Sequence, residues 1–474
     1  MILRAYRIVI GAIVTIPLVQ PHPLYAADTP VPVKVTIDPT VVVATIPTDF
    51  VGLGYETCAV AQPDYFSAKN ARLIKLYANL SPHGMVRIGG NISDHTRYVA
   101  GGTPTVKTER EVTIINRANL KDLGDFARAT GWSVMWGLNL GTGSTDQAVE
   151  EALAVDAELG ASLHSFEIGN EVDLMRNYSK NYDAYQADYT AYKTAIRAKL
   201  PRAPFSGPDS ASSLPFVEKF VAAEAADMKL ATHHYYRTGA RTPQATLDYL
   251  LARDEAFIKK LQRLRELCEP RHVGYRINEV NSFYGGGKAG VSDTFGSALW
   301  CLDYCFTLAE HGCAGVNIET DINQLGFISH YSPIVHDQAG VCSARPEYYG
   351  MLAFATAGRG RLLKTSMPQK PGVNLTAYAT RADDGTRYLT LINKDLSTDA
   401  TVESPLPTGV TVVDAQRLHA PALDAKTGVT FAGAAVADDG SWTPNPPQLV
   451  PFANNAIRLD VPHASACVVR FKMK

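Results

Sequence analysis

A βαβ repeat can be read directly from residues 133–171, which have the sequence SVMWGLNLGTGSTDQAVEEALAVDAELGASLHSFEIGNE. The runs Ser133–Leu140 and Ser165–Gly169 each have the length of a buried strand. Between them, the apolar residues of Thr145–Gly160 recur at intervals of three and four, which predicts an amphipathic helix. The stretch ends on Gly169-Asn170-Glu171, so polar groups follow the second strand directly.

The same alternation of short apolar runs and amphipathic segments occurs eight times between residues 50 and 358. Eight such units in about 300 residues predict a (β/α)8 TIM barrel rather than an open doubly wound sheet. No GxGxxG or P-loop motif follows an early strand, and we expect no cofactor. The predicted strands are Phe50–Tyr55, Met85–Gly89, Ser133–Leu140, Ser165–Gly169, Pro204–Gly207, Leu230–Tyr236, Val273–Asn278 and Gly315–Ile318.

From about residue 359 the pattern changes to a period of two, which is typical of half-buried strands. Val373–Tyr378 and Tyr388–Leu391 flank an Asp-Gly turn, which predicts a β-hairpin. We therefore predict an antiparallel β-sandwich domain over residues 359–474. Residues 28–49 contain a similar alternating segment, Val33–Ile37, and are expected to complete that sandwich with an N-terminal strand.

The first 27 residues resemble an export signal, a signal peptide. Two arginines precede the apolar run Ile8–Leu18, and small residues follow at Ala26-Ala27. The run is shorter than the roughly 20 residues that a membrane-spanning helix needs, which favours cleavage over a permanent anchor. We expect a periplasmic or secreted protein that is free of the membrane after cleavage.

Composition and charge exclude several classes of protein. The chain has 474 residues, 46% of them hydrophobic and 19% charged, which excludes disorder and coiled coil. The formal net charge of −2 provides no general attraction for nucleic acid or another polyanion. The basic stretches 259–265 and 359–361 are expected to be solvated surface, with polyanion binding as the alternative.

No metal site is predicted from the cysteines and histidines. The cysteine number is odd, and no Cys or His stands at zinc-finger spacing near Cys301 and Cys305, which we expect to be small buried residues. His233 and His234 are adjacent on a predicted strand, so they point to opposite faces and cannot readily share an ion. The seven cysteines are Cys58, Cys268, Cys301, Cys305, Cys313, Cys342 and Cys467.

Two predicted strand ends carry a glutamate after an asparagine: Glu171 on the fourth strand and Glu279 on the seventh. A single glutamate at a strand end is usually ion-paired or solvated. In a closed barrel, however, both strands open onto the C-terminal face, so the two carboxyl groups can face each other. Glycoside hydrolysis requires such a pair, one to protonate the leaving oxygen and one to attack the anomeric carbon or activate water.

These motifs resemble those of the clan A glycoside hydrolases, and the seventh-strand region resembles glycoside hydrolase family 79, which contains heparanases and β-glucuronidases. The resemblance covers the chain from about residue 33 to the C-terminus and is weak in the sandwich. The motifs that carry it are Gly169-Asn170-Glu171, Glu279–Gly287, Ser292–Phe295, Val86–Gly90 and His233–Tyr236.

The resemblance implies a retaining double displacement in which Glu171 is the general acid/base and Glu279 is the nucleophile. Hydrogen-bond donors should keep Glu279 ionised. Asn170 is expected to donate to the sugar 2-hydroxyl group, and Tyr235 is expected to hold and orient Glu279. His233 is expected to be a hydrogen-bonded residue of the cleft.

The loop Tyr284-Gly285-Gly286-Gly287 follows the nucleophile by five residues. It could be merely a flexible connection to the next helix. The resemblance implies instead that the amides of Gly285 and Gly286 and the Tyr284 hydroxyl hold a sugar carboxylate, as backbone nests hold anions. Neutral donors of this kind could bind a uronate without a basic patch.

Other residues at strand ends are candidates for contacts with the sugar. Glu56 follows the first strand, and Asn91 and Asp94 follow the second, where each could bind a hydroxyl group or make a structural contact. Tyr331, after the eighth strand, could add to carboxylate binding.

One departure from the family pattern concerns the end of the eighth strand. This chain has Glu319 and Asp321 where relatives carry Gln or His, which places acidic residues near an anionic substrate. Either the sugar differs or these carboxylates point elsewhere.

We therefore predict an exported exo-acting β-glucuronidase that releases terminal glucuronic acid from a glycan, with neither nucleic acid nor membrane as a partner. The alternative within the enzyme class is an endo-acting, heparanase-like hydrolase. Such an enzyme needs lysine and arginine clusters along an open cleft, which the predicted loops lack. A non-catalytic carbohydrate-binding protein is the remaining alternative, but it has no reason to keep the carboxylate pair.

Overall fold

The computed structural model describes residues 29–105, 112–322, 329–368, 372–406 and 408–473. The predicted export signal therefore lies outside the described residues. Within those ranges, no helix is both long and apolar enough to cross a membrane.

The strands of the described chain follow one another in this order: β1 (Val31–Lys34), β2 (Thr36–Ile46), β3 (Val51–Glu56), β4 (Met85–Gly89), β5 (Thr96–Tyr98), β6 (Thr113–Ile115), β7 (Ser133–Leu138), β8 (Leu163–Ile168), β9 (Gly207–Ser210), β10 (Leu230–Gly239), β11 (Gly274–Tyr284), β12 (Val316–Glu319), β13 (Ile334–His336), β14 (Cys342–Ala344), β15 (Gly360–Ser366), β16 (Leu375–Arg381), β17 (Arg387–Asn393), β18 (Ala400–Pro405), β19 (Val410–His419), β20 (Thr430–Phe431), β21 (Gln448–Leu449), β22 (Phe452–Ala453), β23 (Ala456–Val461) and β24 (Ser465–Met473). The helices are α1 (Ala71–Leu80), α2 (Arg117–Thr130), α3 (Thr145–Leu159), α4 (Tyr182–Arg197), α5 (Leu214–Glu224), α6 (Leu247–Leu251), α7 (Glu255–Cys268), α8 (Phe295–Glu310) and α9 (Pro346–Ala357).

Eight parallel strands form the barrel in the spatial order β8-β7-β4-β3-β12-β11-β10-β9. The barrel closes where Phe166 of β8 forms a parallel bridge with Phe205, just before β9. The predicted (β/α)8 barrel is thus confirmed, and its second strand has the predicted ends. The fifth strand begins at Gly207 rather than at Pro204, so polar residues after Gly207 belong to the barrel wall.

Local sequence explains why the connecting helices form, and α3 is an example. Ser144 caps its N-terminus in a reciprocal capping box with Gln147. Ala148, Ala152 and Val155 recur at intervals of four and three and lie on its buried face. The helix predicted over Thr246–Cys268 is instead divided into α6 and α7, because Asp254 starts a new N-cap by accepting a hydrogen bond from the Phe257 amide.

The C-terminal region forms two facing sheets, as predicted. The larger has the order β2-β15-β16-β17-β24-β19-β20, with β21 beside β19, and the smaller has the order β1-β18-β23-β22. The predicted single N-terminal strand is in fact two: β1 pairs in parallel with β18 of the small sheet, and β2 pairs antiparallel with β15 of the large sheet. Val33, Val35, Leu389, Leu391 and Val469 belong to the apolar core between the sheets.

The outer face of the large sheet packs against the barrel helices. The ring of Tyr378 on β16 stacks on Phe306 of α8, with centroids 4.8 Å apart. All seven cysteines are buried and none is bonded to another, as expected for Cys301 and Cys305. Polar side chains line the mouth of the barrel, at the C-terminal ends of its strands.

Candidate active site

Glu171 lies just beyond β8, where the backbone makes an unusual turn. Gly169 has a φ of 82° and Glu171 a φ of 47°, a conformation that a non-glycine residue adopts only when the surroundings enforce it. The turn directs the buried Asn170 and the partly exposed Glu171 into the barrel mouth.

Glu279 lies in the middle of the long strand β11 and is held by two donors. Arg87 Nη1 of β4 donates to its Oε2 at 2.6 Å, and the Tyr236 hydroxyl of β10 donates to its Oε1 at 3.0 Å. The Glu279 side chain is 11% exposed, so only a small part of its surface faces the cleft. The predicted donors around Glu279 are therefore present.

His234 connects the two glutamates. Its Nδ1 lies 3.2 Å from Glu171 Oε1 and 3.7 Å from Glu279 Oε2, and its Nε2 lies 2.7 Å from Asp209 Oδ1. One carboxyl oxygen of Glu171 and one of Glu279 lie within 4.8 Å of each other. The two predicted catalytic carboxyl groups thus face one another across a single cleft.

A buried polar layer supports this pair from below. Arg87 Nη2 donates to Asn170 Oδ1 and to Asp209 Oδ2, both at 2.6 Å, and Arg87 Nε lies 3.5 Å from Glu167. Burial tends to raise the pKa of Asp209, but Arg87 and His234 bring it well below the usual value. The arginine is thus the central cation of the layer.

The protonation of His234 follows from its neighbours. Burial tends to lower its pKa, but the carboxylates of Glu279 and Asp209 raise it well above the usual value. The imidazolium form has no nitrogen lone pair for a metal. Glu171, His234 and Glu279 are close enough to hold an ion, but this protonation makes them a poor ligand set.

The expected positions of His233 and Tyr235 are wrong by one residue along β10. The Tyr235 hydroxyl donates to Asp254 at 2.7 Å, and its ring packs on Phe257 of α7, so it faces the outer helices. His233 is also fully buried away from the cleft, and burial lowers its pKa to about 3. Because side chains alternate along a strand, His234 and Tyr236 are the residues that reach the glutamates.

Tyr236 is part of an aromatic group with Tyr331 and Tyr284. Its ring centroid lies 6.3 Å from that of Tyr331, which is stacked, and 6.3 Å from that of Tyr284, which is edge-on. Tyr284 is 58% exposed and therefore accessible from the cleft. Gly285 and Gly286 both have a φ of 84°, and a Cβ at Gly285 would meet open space.

Glu56 and Asp94 mainly support backbone near the second strand. Glu56 accepts the amide hydrogen bonds of Asn91 and Ile92 at 3.2 and 2.8 Å, and burial raises its pKa well above the usual value. Asn91 Oδ1 accepts a hydrogen bond from Asn170 Nδ2 at 3.1 Å. Asn91 therefore lies beside Asn170 and remains a candidate for sugar binding.

Asp94 forms a bracket between two loops. Its carboxyl group accepts hydrogen bonds from the amides of Leu140, Gly141 and Asn170 at 3.0–3.2 Å. Burial raises its pKa to about 7. Asp94 thus fixes the backbone that presents Asn170.

The two acidic residues after the eighth strand differ in environment. Glu319 is 3% exposed and lies against Gly54, and burial, followed by the charge of Glu279, raises its pKa well above the usual value. A neutral Glu319 removes the conflict with an anionic substrate. The backbone of Asp321 is held at the edge of the mouth. Its amide donates to the Ser332 hydroxyl, and its carbonyl accepts a hydrogen bond from that hydroxyl.

Sequence reasoning missed four site residues: Arg87, Asp209, His234 and Tyr236. Arg87 carried a signal, because it is a lone charge in the apolar strand Met85–Gly89. Asp209 lies in Gly-Pro-Asp-Ser, which resembles a turn, and it has a φ of 60°. The remaining pair could have been found only by knowing which face of β10 points inward.

Comparisons with known proteins relate the chain to glycoside hydrolases. A family model, the glycosyl hydrolase family 79 C-terminal beta domain, matches residues 377–468. A β-glucuronidase of Aspergillus niger is 24% identical over 406 residues, which cover 73% of this chain and 74% of that protein. A β-glucuronidase of Neurospora crassa is 26% identical over 317 residues, 57% of this chain and 55% of the relative.

A similar solved structure is that of a 4-O-α-L-rhamnosyl-β-D-glucuronidase from Fusarium oxysporum. It has a TM-score of 0.78 and 19% sequence identity, and the match covers 92% of this chain and 99% of that one. An α-L-arabinofuranosidase from Thermotoga maritima has a TM-score of 0.69 at 14% identity, covering 92% of this chain and 99% of that one. At these identities the structural likeness concerns the fold.

Proposed function

We propose that the chain is a member of glycoside hydrolase family 79 and, more specifically, an exported, retaining, exo-acting β-glucuronidase. The observation that carries this proposal is the approach of Glu171 and Glu279, whose carboxyl oxygens lie within 4.8 Å of each other. Retaining enzymes have their two carboxyl groups about 5–5.5 Å apart, whereas inverting enzymes need about 6.5–9.5 Å to fit a water molecule.

In the first step, the protonated carboxyl group of Glu171 gives its proton to the glycosidic oxygen while the bond from that oxygen to the anomeric carbon breaks. Glu279 Oε attacks the same carbon and forms an ester, and the aglycone leaves as an alcohol. In the second step, Glu171 takes a proton from water, whose oxygen displaces Glu279 and releases glucuronic acid with its β-configuration.

The surrounding residues support these roles. Arg87 and Tyr236 hold Glu279 in a fixed orientation, and His234 lies between the two carboxyl groups. Asn170, bonded to Arg87 and Asn91, is placed to contact the 2-hydroxyl group. These contacts preorganise the charges before the substrate arrives.

The sugar carboxylate is proposed to bind at Tyr284, Gly285 and Gly286, next to Tyr331. This loop begins five residues after Glu279, and its glycines leave space for an anion. Charge favours capture of one terminal uronate over binding of a long sulfated chain, since the net charge of −2 provides no general attraction for a polyanion.

Release of p-nitrophenol from its β-D-glucuronide tests the activity. We expect Glu279→Gln to lose at least about 10⁴-fold in kcat, as expected when a nucleophile is removed. The matched control Glu266→Gln, an exposed glutamate of α7, should keep full activity. Absence of turnover by the wild type would favour the non-catalytic alternative.

Two further measurements test the finer points. Proton NMR during turnover should show the β-anomer of glucuronic acid first, and initial release of the α-anomer would indicate inversion. Product analysis on heparan-type polymer and on short glucuronides should show monosaccharide release, whereas rapid shortening of the polymer would indicate an endo enzyme.

A further inference from the structure

Three arginines form a row across neighbouring strands of the large sheet. Arg361 of β15 is directly opposite Arg381 of β16, which is directly opposite Arg387 of β17. Directly paired residues lie on the same face, and adjacent strands are about 4.8 Å apart. The row therefore presents three guanidinium groups along a line of about 10 Å.

This arginine row lies at the rim of the sandwich. Arg387 shares its face with Leu389 and Leu391, two residues of the core between the sheets, and all three arginines lie at the end next to the Asp-Gly turn. Arg361 is exposed, and the other two are half-buried. The row thus begins where the apolar core ends.

The row has no carboxylate partner within hydrogen-bonding or ion-pair distance among the described residues. The acidic group in the adjoining turn, Asp384, instead accepts a hydrogen bond from the Thr386 amide at 2.9 Å, and Asp383 is exposed. On α7, by contrast, Arg263 pairs with Glu218 at 2.7 Å and Arg265 pairs with Glu269 at 3.0 Å. These two arginines of the helix are thus paired with carboxylates, whereas those of the row are not.

Like charges directly opposite each other destabilise a sheet. Burial lowers the pKa of Arg387 and the charge of Arg381 lowers it further, and Arg387 Nε is buried without a hydrogen-bond partner. An anion between these groups would relieve both costs. Guanidinium groups bind carboxylate and sulfate through two parallel hydrogen bonds, which suits an arginine row.

The row is remote from the glutamate pair. Arg361 pairs with Thr45 of β2, close to where the first barrel strand begins, so it lies toward the N-terminal face of the barrel. A ligand there does not enter the catalytic cleft.

We propose that the arginine row is a second, non-catalytic binding site for an acidic glycan chain that carries carboxylate or sulfate groups. The choice of a glycan rests on the proposed function, which requires glucuronic-acid-containing substrates. The site holds the chain while its terminal sugar is cleaved elsewhere. Three arginines on a protein of net charge −2 form too small a footprint for nucleic acid.

The experiment compares two double variants made in the inactive Glu279→Gln chain, each of which removes two positive charges. Arg361→Gln/Arg381→Gln alters the row, and Arg263→Gln/Arg265→Gln alters exposed, paired arginines of α7. Binding is measured by calorimetry at low and moderate salt. The probes are hyaluronan, which carries carboxylates, heparin, which also carries sulfates, neutral dextran, duplex DNA and anionic phosphatidylserine vesicles.

We expect the row variant to bind the acidic glycans at least about tenfold more weakly than the control, which corresponds to about 1.4 kcal/mol. Binding of hyaluronan but not of heparin would assign the site to carboxylates. Stronger binding of heparin would assign it to sulfates. Equal binding by the two variants, no binding by the parent chain, or equal binding of dextran, DNA or vesicles would overturn the proposal.

Thermal melting distinguishes lost binding from lost folding. Removing a repulsive cross-strand pair should leave the melting temperature of the row variant unchanged or higher. In the active chain, both double variants should hydrolyse p-nitrophenyl β-D-glucuronide at the wild-type rate. A chain that binds acidic glycans through the row but never hydrolyses this substrate would refute the proposed function and leave the row in place.

Discussion

The two ends of the barrel each contain a fully buried arginine, but the partners differ. Near the C-terminal ends of the strands, Arg87 bonds the carboxylates of Glu279 and Asp209. At the opposite end, Arg276 bonds Asn317 Oδ1 at 2.7 Å and the main-chain carbonyls of residues that include Phe50 and Val316. Burial lowers the pKa of Arg276 to about 10, and the charges of Asp49 and Glu167 offset this only in part.

The difference separates function from stability within one barrel. Arg276 donates to buried main-chain carbonyls and to a side-chain amide oxygen, so it ties strands together at the lower end of the barrel. Arg87 fixes negative charges that face the cleft, so its field acts on the reacting groups. In barrel enzymes the C-terminal face carries the chemistry and the opposite face carries stability.

Arg87→Met would test the functional end most severely. Glu279 and Asp209 would lose the guanidinium group that bonds both, and we expect kcat on the aryl glucuronide to fall at least about 10³-fold, with a lower melting temperature. The kinetics should be measured at a temperature where circular dichroism shows the variant to be folded. A folded variant with near wild-type kcat would remove Arg87 from the mechanism.

Arg276→Met, at the other end of the barrel, should reduce stability more than activity. Removing several buried hydrogen bonds of the guanidinium group should cost about 3 kcal/mol of the free energy of unfolding. Urea denaturation measures this loss, while kcat of the folded variant should stay within about twofold of the wild type. A large fall in kcat without loss of stability would contradict the division between the two ends.

Tyr236→Phe and Tyr235→Phe form a matched pair on one strand. Removing the hydroxyl that donates to Glu279 should lower kcat about 30-fold, since a hydrogen bond to a charged group contributes about 2 kcal/mol. Removing the hydroxyl that donates to Asp254 should leave kcat unchanged and reduce stability slightly. If Tyr235→Phe were instead the inactive variant, the placement of β10 would be wrong by one residue.

Glu151→Gln examines a buried carboxyl group that has no arginine. Trp136 Nε1 donates to Glu151 Oε1 at 2.8 Å, and burial raises the pKa of this glutamate to about 7. The folded chain thus binds a proton more tightly than the unfolded one, so this group's contribution to stability is full below about pH 4 and declines as the pH rises to 7.

The Gln variant should lack this decline. At pH 8 it should be more stable than the wild type by about 1 kcal/mol, because the new amide N–H₂ group offsets part of the gain. At pH 4 the advantage should vanish. Thermal unfolding of both proteins from pH 4 to 8 checks this, and parallel curves would contradict a raised pKa at Glu151.

The sequence predicted the barrel well because its signals are local. The apolar runs of β4 and β7 and the spacing in α3 need no knowledge of distant residues. Glu171 and Glu279 could likewise be found, since each follows an asparagine near the end or middle of a recognisable strand.

The failures have a different physical origin. Strand β10 is buried on both faces, so its sequence does not alternate in polarity and cannot indicate whether Tyr235 or Tyr236 faces inward. The break between α6 and α7 supplies Asp254, the partner of Tyr235, and depends on tertiary packing. Asp209 was not predicted as a residue of the barrel wall, because a positive φ is uncommon within a strand.

The pairing of β1 and β2 has a consequence for how the chain reaches its native state. These strands are made first, but their partners β18 and β15 follow more than 300 residues later. Contacts between distant parts of a chain form slowly, because the intervening loop must first be closed. The N-terminal strands therefore stay unpaired until most of the polypeptide has been synthesised.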